Sequence, residues 1–308
     1  MRILYVARHG QVGTSNDDEG AIAAALRLLD HDVCCVHESE VDSLGLPERP
    51  DLLLFHKWDD LSALVRLRRH WGYATPAVFW FFDLVDHPDP ALANRCRVRR
   101  NWMERFTPHV DLGFCTDGDW VRRDTTGKLI CLRQGADERV VGRGDRTIPA
   151  LAPGSGTILL SGIYKGGTLR MSFINEMHAR YGSRFRHVQQ GIYGRDMADL
   201  VASTAVVVAP DGPSTDHYWS NRVYNACGFG AFLVHPYCTD LLMHYDDTEV
   251  AYYDSREGMH DIIERALAEP MRRQATADRA LARTLAEHLY RHRCVEMLRQ
   301  IGERLAVV

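Results

Sequence analysis

The sequence lacks the segments that would place the protein in a membrane or in an oxidising compartment. No apolar run in its 308 residues approaches the roughly 20 residues needed to span a bilayer. Residues 1–7 are too short for a signal peptide and are typical of a first strand. Eight cysteines are present, but none form a C-x-x-C pair or a metal-ligand spacing. These absences exclude a disulfide framework and predict a cytoplasmic protein with no membrane span.

Lysine is scarce, and the charge balance is slightly acidic. Only Lys57, Lys128 and Lys165 are lysines among 37 basic residues, and the formal net charge is −4. A net negative chain argues against a protein that coats nucleic acid without specificity. The phosphate-binding patterns G-x-x-x-x-G-K-[ST] and, after the first strand, G-x-G-x-x-G are also missing. Against the arginine background Lys165 is notable, because a compact ammonium suits a phosphate.

Short apolar runs alternate with helical patterns along almost the whole chain. Strands are predicted at residues 3–7, 33–36, 51–55, 77–82, 112–115 and 129–132, and again at 158–161, 185–189, 205–208, 231–234 and 250–252. Helices are predicted near 17–29, 61–71 and 91–106, and from 259 onward. A Pro/Gly/Ser-rich linker lies at 147–156. The alternation predicts an α/β protein with two doubly wound, Rossmann-like domains facing a cleft, residues 1–150 and 151–308.

The most informative segment is residues 202–236, ASTAVVVAPDGPSTDHYWSNRVYNACGFGAFLVHP. An apolar strand runs into a Pro-Asp-Gly-Pro loop, a helix opens near Ser220, and a small-residue turn leads into a second strand. Such an arrangement gathers backbone N–H groups and a positive helix end beside the carboxyl edge of a parallel sheet. This is where a diphosphate would bind.

Four motifs in the C-terminal half carry a family resemblance. They are RVYNACG at 222–228, LLSGIYKGG at 159–167, the loop, helix and strand of 191–208, and EHLYRHR at 287–293. Together they resemble the nucleotide-sugar half of GT-B glycosyltransferases, in particular the spore-maturation-protein-like branch of the glycosyl transferases group 1 superfamily. The last motif resembles the family's closing helix. The N-terminal half is similar only in layout.

The resemblance implies a donor site in the second domain. The diphosphate would contact Gly162, Lys165 and Gly166 from one loop and Ser220, Asn221 and Arg222 from the helix start. The nucleobase would lie against Gly191 and Tyr193. Many retaining members carry two glutamates separated by seven residues, and this chain has His217 and Asn225 at that spacing. Asn225 can still hydrogen-bond a ribose hydroxyl, whereas His217, expected near the sugar or β-phosphate, supplies no carboxylate.

The acceptor side is expected on loops after strands of the first domain. Asp83, Asp86 and His87 are the candidate catalytic residues, since a carboxylate or imidazole there could take the proton of an attacking hydroxyl. Candidate acceptor contacts are His9, Lys57, Trp58, Arg97 and Arg100. Asp86 also fits a turn-forming role. The acids at 17–19 read as part of a helix cap with Asn16 and are not assigned to catalysis.

The expected reaction is transfer of a sugar from a nucleoside diphosphate sugar to an acceptor hydroxyl, by a hexosyltransferase-type enzyme that needs no metal and holds no bound cofactor. The favoured acceptor is a small molecule or glycan. The basic run RCRVRRNWMER at 95–105 leaves open a second acceptor, DNA with hydroxymethylated pyrimidines, as for phage-type enzymes. A sugar-nucleotide epimerase and a non-catalytic nucleotide-binding protein are the alternatives of other classes.

Overall fold

The chain folds into two compact units. The computed structural model describes residues 1–9, 17–41, 45, 48–56, 61–142, 158–161, 168–188, 194–209 and 215–305. Unit 1 comprises Met1–Val12, Asp18–Gly135 and Tyr290–Val308, and unit 2 comprises Gly13–Asp17 and Ala136–Leu289. Each unit has its own parallel sheet.

In its described part, unit 1 has a six-stranded sheet of order β2-β1-β3-β4-β5-β6 in which every pairing is parallel. The elements of unit 1 are β1 (Arg2–Ala7), α1 (Asp18–Leu28), β2 (Asp32–His37), β3 (Leu52–His56), α2 (Leu61–Trp71), β4 (Ala77–Phe81), α3 (Ala93–Phe106), β5 (Leu112–Cys115), α4 (Gly118–Arg122) and β6 (Leu129–Cys131).

The central strands of unit 1 are buried on both faces, which explains their continuous apolar runs. Alternate residues of β1 enter two different cores, because successive side chains of a strand point to opposite faces of the sheet. Ile3 and Tyr5 pack in one core, and Leu4 and Val6 pack in the other. This two-sided packing is the doubly wound arrangement that the sequence predicts.

Unit 2 repeats the design with a five-stranded parallel sheet of order β11-β10-β9-β7-β8 among its described residues. Its elements are β7 (Ile158–Ser161), α5 (Thr168–Tyr181), β8 (Phe185–Val188), α6 (Gly194–Ala202), β9 (Val206–Val208), α7 (Arg222–Gly228), β10 (Leu233–Pro236), β11 (Ala251–Tyr253), α8 (Arg256–Ala268) and α9 (Pro270–Glu287). The side chains of Val207 and Val208 again enter separate cores.

The last helix, α10 (Tyr290–Leu305), belongs to unit 1. Its buried face, with Cys294 and Met297, joins the core formed by α1 and β1. The sequence places the whole tail in the second domain, and the difference arises because amphipathic spacing shows which face is buried but not against which sheet. The motif at 287–293 is likewise not one helix. It is the junction where α9 ends at Glu287 and α10 begins at Tyr290.

Each sheet has one position where the strand order reverses. In unit 1 the chain goes from β1 to β2 on one side and then to β3 on the other, so the reversal lies between β1 and β3. In unit 2 it lies between β7 and β9. Ligands of open α/β sheets bind outside the carboxyl ends of the strands at such points. Within the described residues, no helix has the length and apolar character of a membrane span.

Candidate functional site

The predicted donor residues follow the two strands that flank the reversal in unit 2. Ser220, Asn221 and Arg222 come after β9 and lie within the described chain. Gly162, Lys165 and Gly166 follow β7 in sequence but lie outside the described residues, as do Gly191, Tyr193, Lys57 and Trp58. The strands that precede the two predicted phosphate-binding segments, β7 and β9, are neighbours in the sheet, which sequence alone does not establish.

The start of α7 is a polar element set in an apolar core. Asn221 is the N-cap residue and is buried, and its side chain makes no capping hydrogen bond. Arg222 is half-buried and begins the helix, two residues later than the predicted opening near Ser220. Val223 and Tyr224 are buried behind them and fix the helix to the core. With only seven residues in α7, the Arg222 guanidinium is the main positive group that this segment offers.

His235, near the end of β10, lies beside this segment and was not singled out from the sequence. The side chain is only 5% exposed, and its Nδ1 is 2.7 Å from the carbonyl oxygen of Pro236. Burial lowers the pKa of His235 to about 4, a change that the Pro236 carbonyl partly opposes and the charge of Arg222 reinforces. The ring is therefore neutral at pH 7, with Nδ1 as the hydrogen-bond donor. Arg222 is the permanently charged group that acts on His235 among the described residues.

His217 and Asn225, at the spacing where many resembling enzymes carry two glutamates, are both half-buried. His217 lies in the turn before α7, and its Nδ1 is 2.9 Å from Oδ2 of Asp240. Asn225 lies within α7, one turn after Asn221. The structure thus supplies a carboxylate at the His217 position from a residue 23 places further along the chain.

A cluster of aromatic and histidine rings supports α7 from behind. The Tyr224 hydroxyl is 3.3 Å from His244 Nδ1, and His288 Nε2 is 2.9 Å from the His244 carbonyl oxygen. Trp219 and Tyr245 contact the same rings edge-on. These contacts give His288, in the 287–293 motif, a packing role beneath α7 at the end of α9.

In unit 1 the predicted catalytic carboxylates are engaged by arginines. Asp86 accepts hydrogen bonds from Arg100 at 3.0 Å and from Arg123 at 2.7 Å, and its carboxylate also caps the backbone N–H of His87. Asp83 pairs with Arg99 at 3.0 Å. These contacts favour a role for Asp86 in shaping the loop after β4, because both of its carboxylate oxygens already accept hydrogen bonds from arginines.

The other candidates on this side are also held by local contacts. His87 Nδ1 accepts a hydrogen bond from the backbone N–H of Asp89, so this nitrogen is occupied in a turn. His9 Nε2 is 3.1 Å from the Tyr5 carbonyl oxygen. Arg100 is committed to Asp86, whereas Arg97 is exposed on α3. Two arginines of the basic run at 95–105, Arg99 and Arg100, therefore bind acids of the neighbouring loop. This weakens the interpretation of the run as a phosphate-binding surface.

Comparisons with known proteins agree with the geometry. Residues 168–299 match the family model described as glycosyl transferase-like. Sucrose-phosphate synthase from Thermosynechococcus elongatus has the same fold, with a TM-score of 0.69 at 13% identity over 100% of both chains. HepE of Anabaena, solved with UDP-glucose, gives 0.61 at 14% identity over 100% of both chains. Trehalose 6-phosphate synthase from Burkholderia multivorans gives 0.58 at 14% over 98% of this chain and 99% of that one. No curated protein matches the sequence.

The chain carries a glycosyl transferase-like region over residues 168–299, in a fold that it shares with these glycosyltransferases. The predicted family, the α/β fold and the enzyme class are confirmed. The DNA glycosyltransferase alternative is not favoured, since neither the family match nor the similar structures support a DNA acceptor. The structure holds no group of three or more histidine, cysteine or acidic side chains arranged for a metal ion in the part of the chain that it describes.

Proposed function

We propose that this glycosyltransferase binds a uridine diphosphate sugar on unit 2 and transfers the sugar to a hydroxyl of a small-molecule or glycan acceptor bound on unit 1. The choice of uridine is supported by the similar structure of HepE, which was solved with UDP-glucose. The donor is proposed to bind at the carboxyl edge of the unit 2 sheet, and the family match over residues 168–299, which lie largely in this unit, supports the choice of unit.

The observation that carries the proposal is the polar segment at the reversal of the unit 2 sheet. Arg222 provides a planar, permanently charged group suited to a diphosphate. Ser220 and Asn221 add polar groups at the same strand end, and Lys165 follows the neighbouring strand in sequence. His235 beside Arg222 is neutral because it is buried, so it adds no charge to the proposed diphosphate site.

The donor's remaining parts are assigned to neighbouring residues. Asn225 is proposed at the ribose, because its amide can both donate and accept a hydrogen bond. The pair of His217 and Asp240 is proposed near the sugar or the β-phosphate. Gly191 and Tyr193 remain proposed contacts of the nucleobase. Transfer is proposed to need no metal, with the cationic side chains balancing the charge of the leaving diphosphate.

Isothermal titration with UDP and UDP-glucose tests the donor site. Arg222→Ala and Lys165→Ala are each expected to weaken binding by about 1.5–3 kcal/mol, the range for hydrogen bonds to charged groups. Arg186→Ala is the matched control, because Arg186 is exposed on β8 in the same unit. Unchanged affinity in both variants, with unchanged unfolding curves, would remove the donor site from this edge.

Turnover separates the reaction classes. UDP release from UDP-glucose that depends on an added sugar supports transfer, whereas conversion of the donor to an isomer supports an epimerase. Binding of UDP-glucose with neither outcome supports a non-catalytic protein. The same assay with EDTA tests the metal requirement: full activity is expected, and a loss restored by Mg²⁺ or Mn²⁺ would contradict metal-independent transfer.

A further inference from the structure

A second polar cluster lies at the reversal of the unit 1 sheet, between β1 and β3. His56 is the last residue of β3, and Glu19 lies in the first turn of α1, the helix that follows β1. Because β1 and β3 are adjacent and parallel, the end of β3 and the start of α1 meet at the same edge of the sheet. Glu19 was not assigned to the site from the sequence, where it appeared only as a helix-cap acid.

The two side chains are close but not in direct hydrogen-bond contact. Glu19 Oε1 is 3.8 Å from His56 Nε2, beyond the usual hydrogen-bond distance. A hydroxyl oxygen about 2.8 Å from each atom fits such a gap as the apex of a triangle. His56 is held from behind by Phe82, whose ring it meets edge-on at 4.3 Å. Glu19 is the more accessible of the two, with 21% of its side chain exposed against 3% for His56.

The hydroxyl of Tyr5 is the independent sign of a ligand at this position. It is fully buried, and it has no hydrogen-bond partner among the residues that the structure describes. Leaving a buried hydroxyl unpaired costs free energy, so such groups call for a specific explanation. Burial raises the pKa of Tyr5 well above its ordinary value, and the nearby carboxylates of Glu19 and Asp18 add to the effect. Tyr5 pairs with Leu54 of the adjacent strand, two residues before His56, so the side chains of Tyr5 and His56 point to the same face of the sheet.

The surroundings of the cluster are rigid. Asp18 accepts a hydrogen bond of 2.7 Å from the hydroxyl of Tyr290 at the start of α10. The ring of Tyr290 stacks on that of Phe82. The hydrogen bond from Tyr290 thus fixes the first turn of α1 to α10. This contact is one reason why α10 packs in unit 1, although the preceding helix α9 belongs to unit 2.

We propose that Glu19, His56 and Tyr5 form the subsite that binds a hydroxyl group of the sugar-like acceptor. Glu19 accepts the hydrogen bond of that hydroxyl, and His56 positions the carboxylate and the bound oxygen. The Tyr5 hydroxyl is the third polar group of the subsite. The inference rests on the proposed transferase function, and it names the part of unit 1 that meets the acceptor.

The test uses the full chain with UDP-glucose as donor and a panel of glucose, galactose, mannose and fructose as acceptors, with UDP release as the readout. Glu19→Gln is expected to lower kcat/KM for the acceptor about tenfold or more, consistent with loss of a charge-assisted hydrogen bond. His56→Asn is expected to lower it severalfold. The Kd for UDP should stay within about twofold in both, because the donor site lies on unit 2. Glu104→Gln, an exposed acid of α3, is the control.

Tyr5→Phe separates a binding role from a structural one. If the hydroxyl only sits unpaired in the core, its removal leaves turnover unchanged and stabilises the fold. If it contacts the acceptor, KM for the acceptor rises while stability stays the same or increases. Unchanged acceptor kinetics in Glu19→Gln and Tyr5→Phe, with UDP binding intact, would overturn the subsite.

If the wild type releases UDP only by hydrolysis, water takes the acceptor's place and the same comparison of rates applies. Failure of the wild type to bind UDP would instead overturn the proposed function, and the subsite with it.

Discussion

The stability of unit 2 should depend on the protonation state of His235. In the folded protein its pKa is about 4, against 6.5 for an ordinary histidine, because the ring is buried. The unfolded chain takes up a proton below about pH 6.5, whereas the folded chain does so only near pH 4. Stability from this group is therefore fully present above pH 6.5 and is lost as the pH falls toward 4.

The size of the effect follows from the two pKa values. Their separation corresponds to a total of about 3 kcal/mol, of which about 2 kcal/mol is lost between pH 7 and pH 5. His235→Gln removes the titrating group, so its free energy of unfolding should fall by about 2 kcal/mol less than that of the wild type over the same interval. The absolute stability of the variant does not enter the comparison, because only its change with pH is used.

Urea unfolding followed by hydrogen exchange in peptides that span 233–236 reports on unit 2 alone. His178→Gln is the matched control, since His178 is an exposed histidine on α5 of the same unit. It should keep the pH dependence of the wild type. An equal loss of stability in the wild type and in His235→Gln between pH 7 and pH 5 would refute the reasoning, since the ring would then not be held neutral by burial.

Three further predictions concern other contacts. Gly113→Ala should destabilise unit 1 by about 1–3 kcal/mol in urea unfolding, since an added Cβ would press on the Phe79 ring and lie 2.7 Å from a Leu129 methyl carbon; an unchanged midpoint would contradict this packing. Asp240→Asn should weaken titrated UDP-glucose binding more than UDP binding, because it removes the carboxylate beside His217; equal effects on both ligands would exclude a sugar contact. In gel shifts at low salt, duplexes with hydroxymethylcytosine should not bind, given that Arg99 and Arg100 pair with the loop acids; salt-sensitive binding with sugar incorporation would restore the DNA alternative.

The strands were predictable because their burial is nearly complete. A strand covered on both faces needs a continuous apolar run, and such runs mark β3 and β4 within one residue of their observed ends. β10 was predicted two residues early, because Ala231 and Phe232 extend its apolar run and His235 interrupts it. The polar histidine is tolerated in the strand since its Nδ1 hydrogen-bonds the adjacent carbonyl.

The candidate site was predictable only where a local motif carries it. Arg222 and its neighbours form one continuous stretch, so a family resemblance can locate them. Glu19 and His56 are far apart in sequence and become neighbours only through the order of the strands. Asp86 shows the converse: its position after an apolar strand suggests catalysis, and only the structure reveals the arginines of α3 and of the residue after α4 that engage it.

The pair of His217 and Asp240 shows how a missing motif residue can be replaced in space. Two glutamates at this spacing would place a carboxylate in the turn before α7 and another within the helix. Here the turn carries an imidazole, and the carboxylate comes from Asp240 in the segment after β10, 2.9 Å from the ring. Because β9 and β10 are adjacent parallel strands, the segments that follow them lie at one edge of the sheet. The sheet thus permits the same chemical group to be supplied from either segment, and the absence of a glutamate at position 217 does not by itself remove a carboxylate from the proposed donor side.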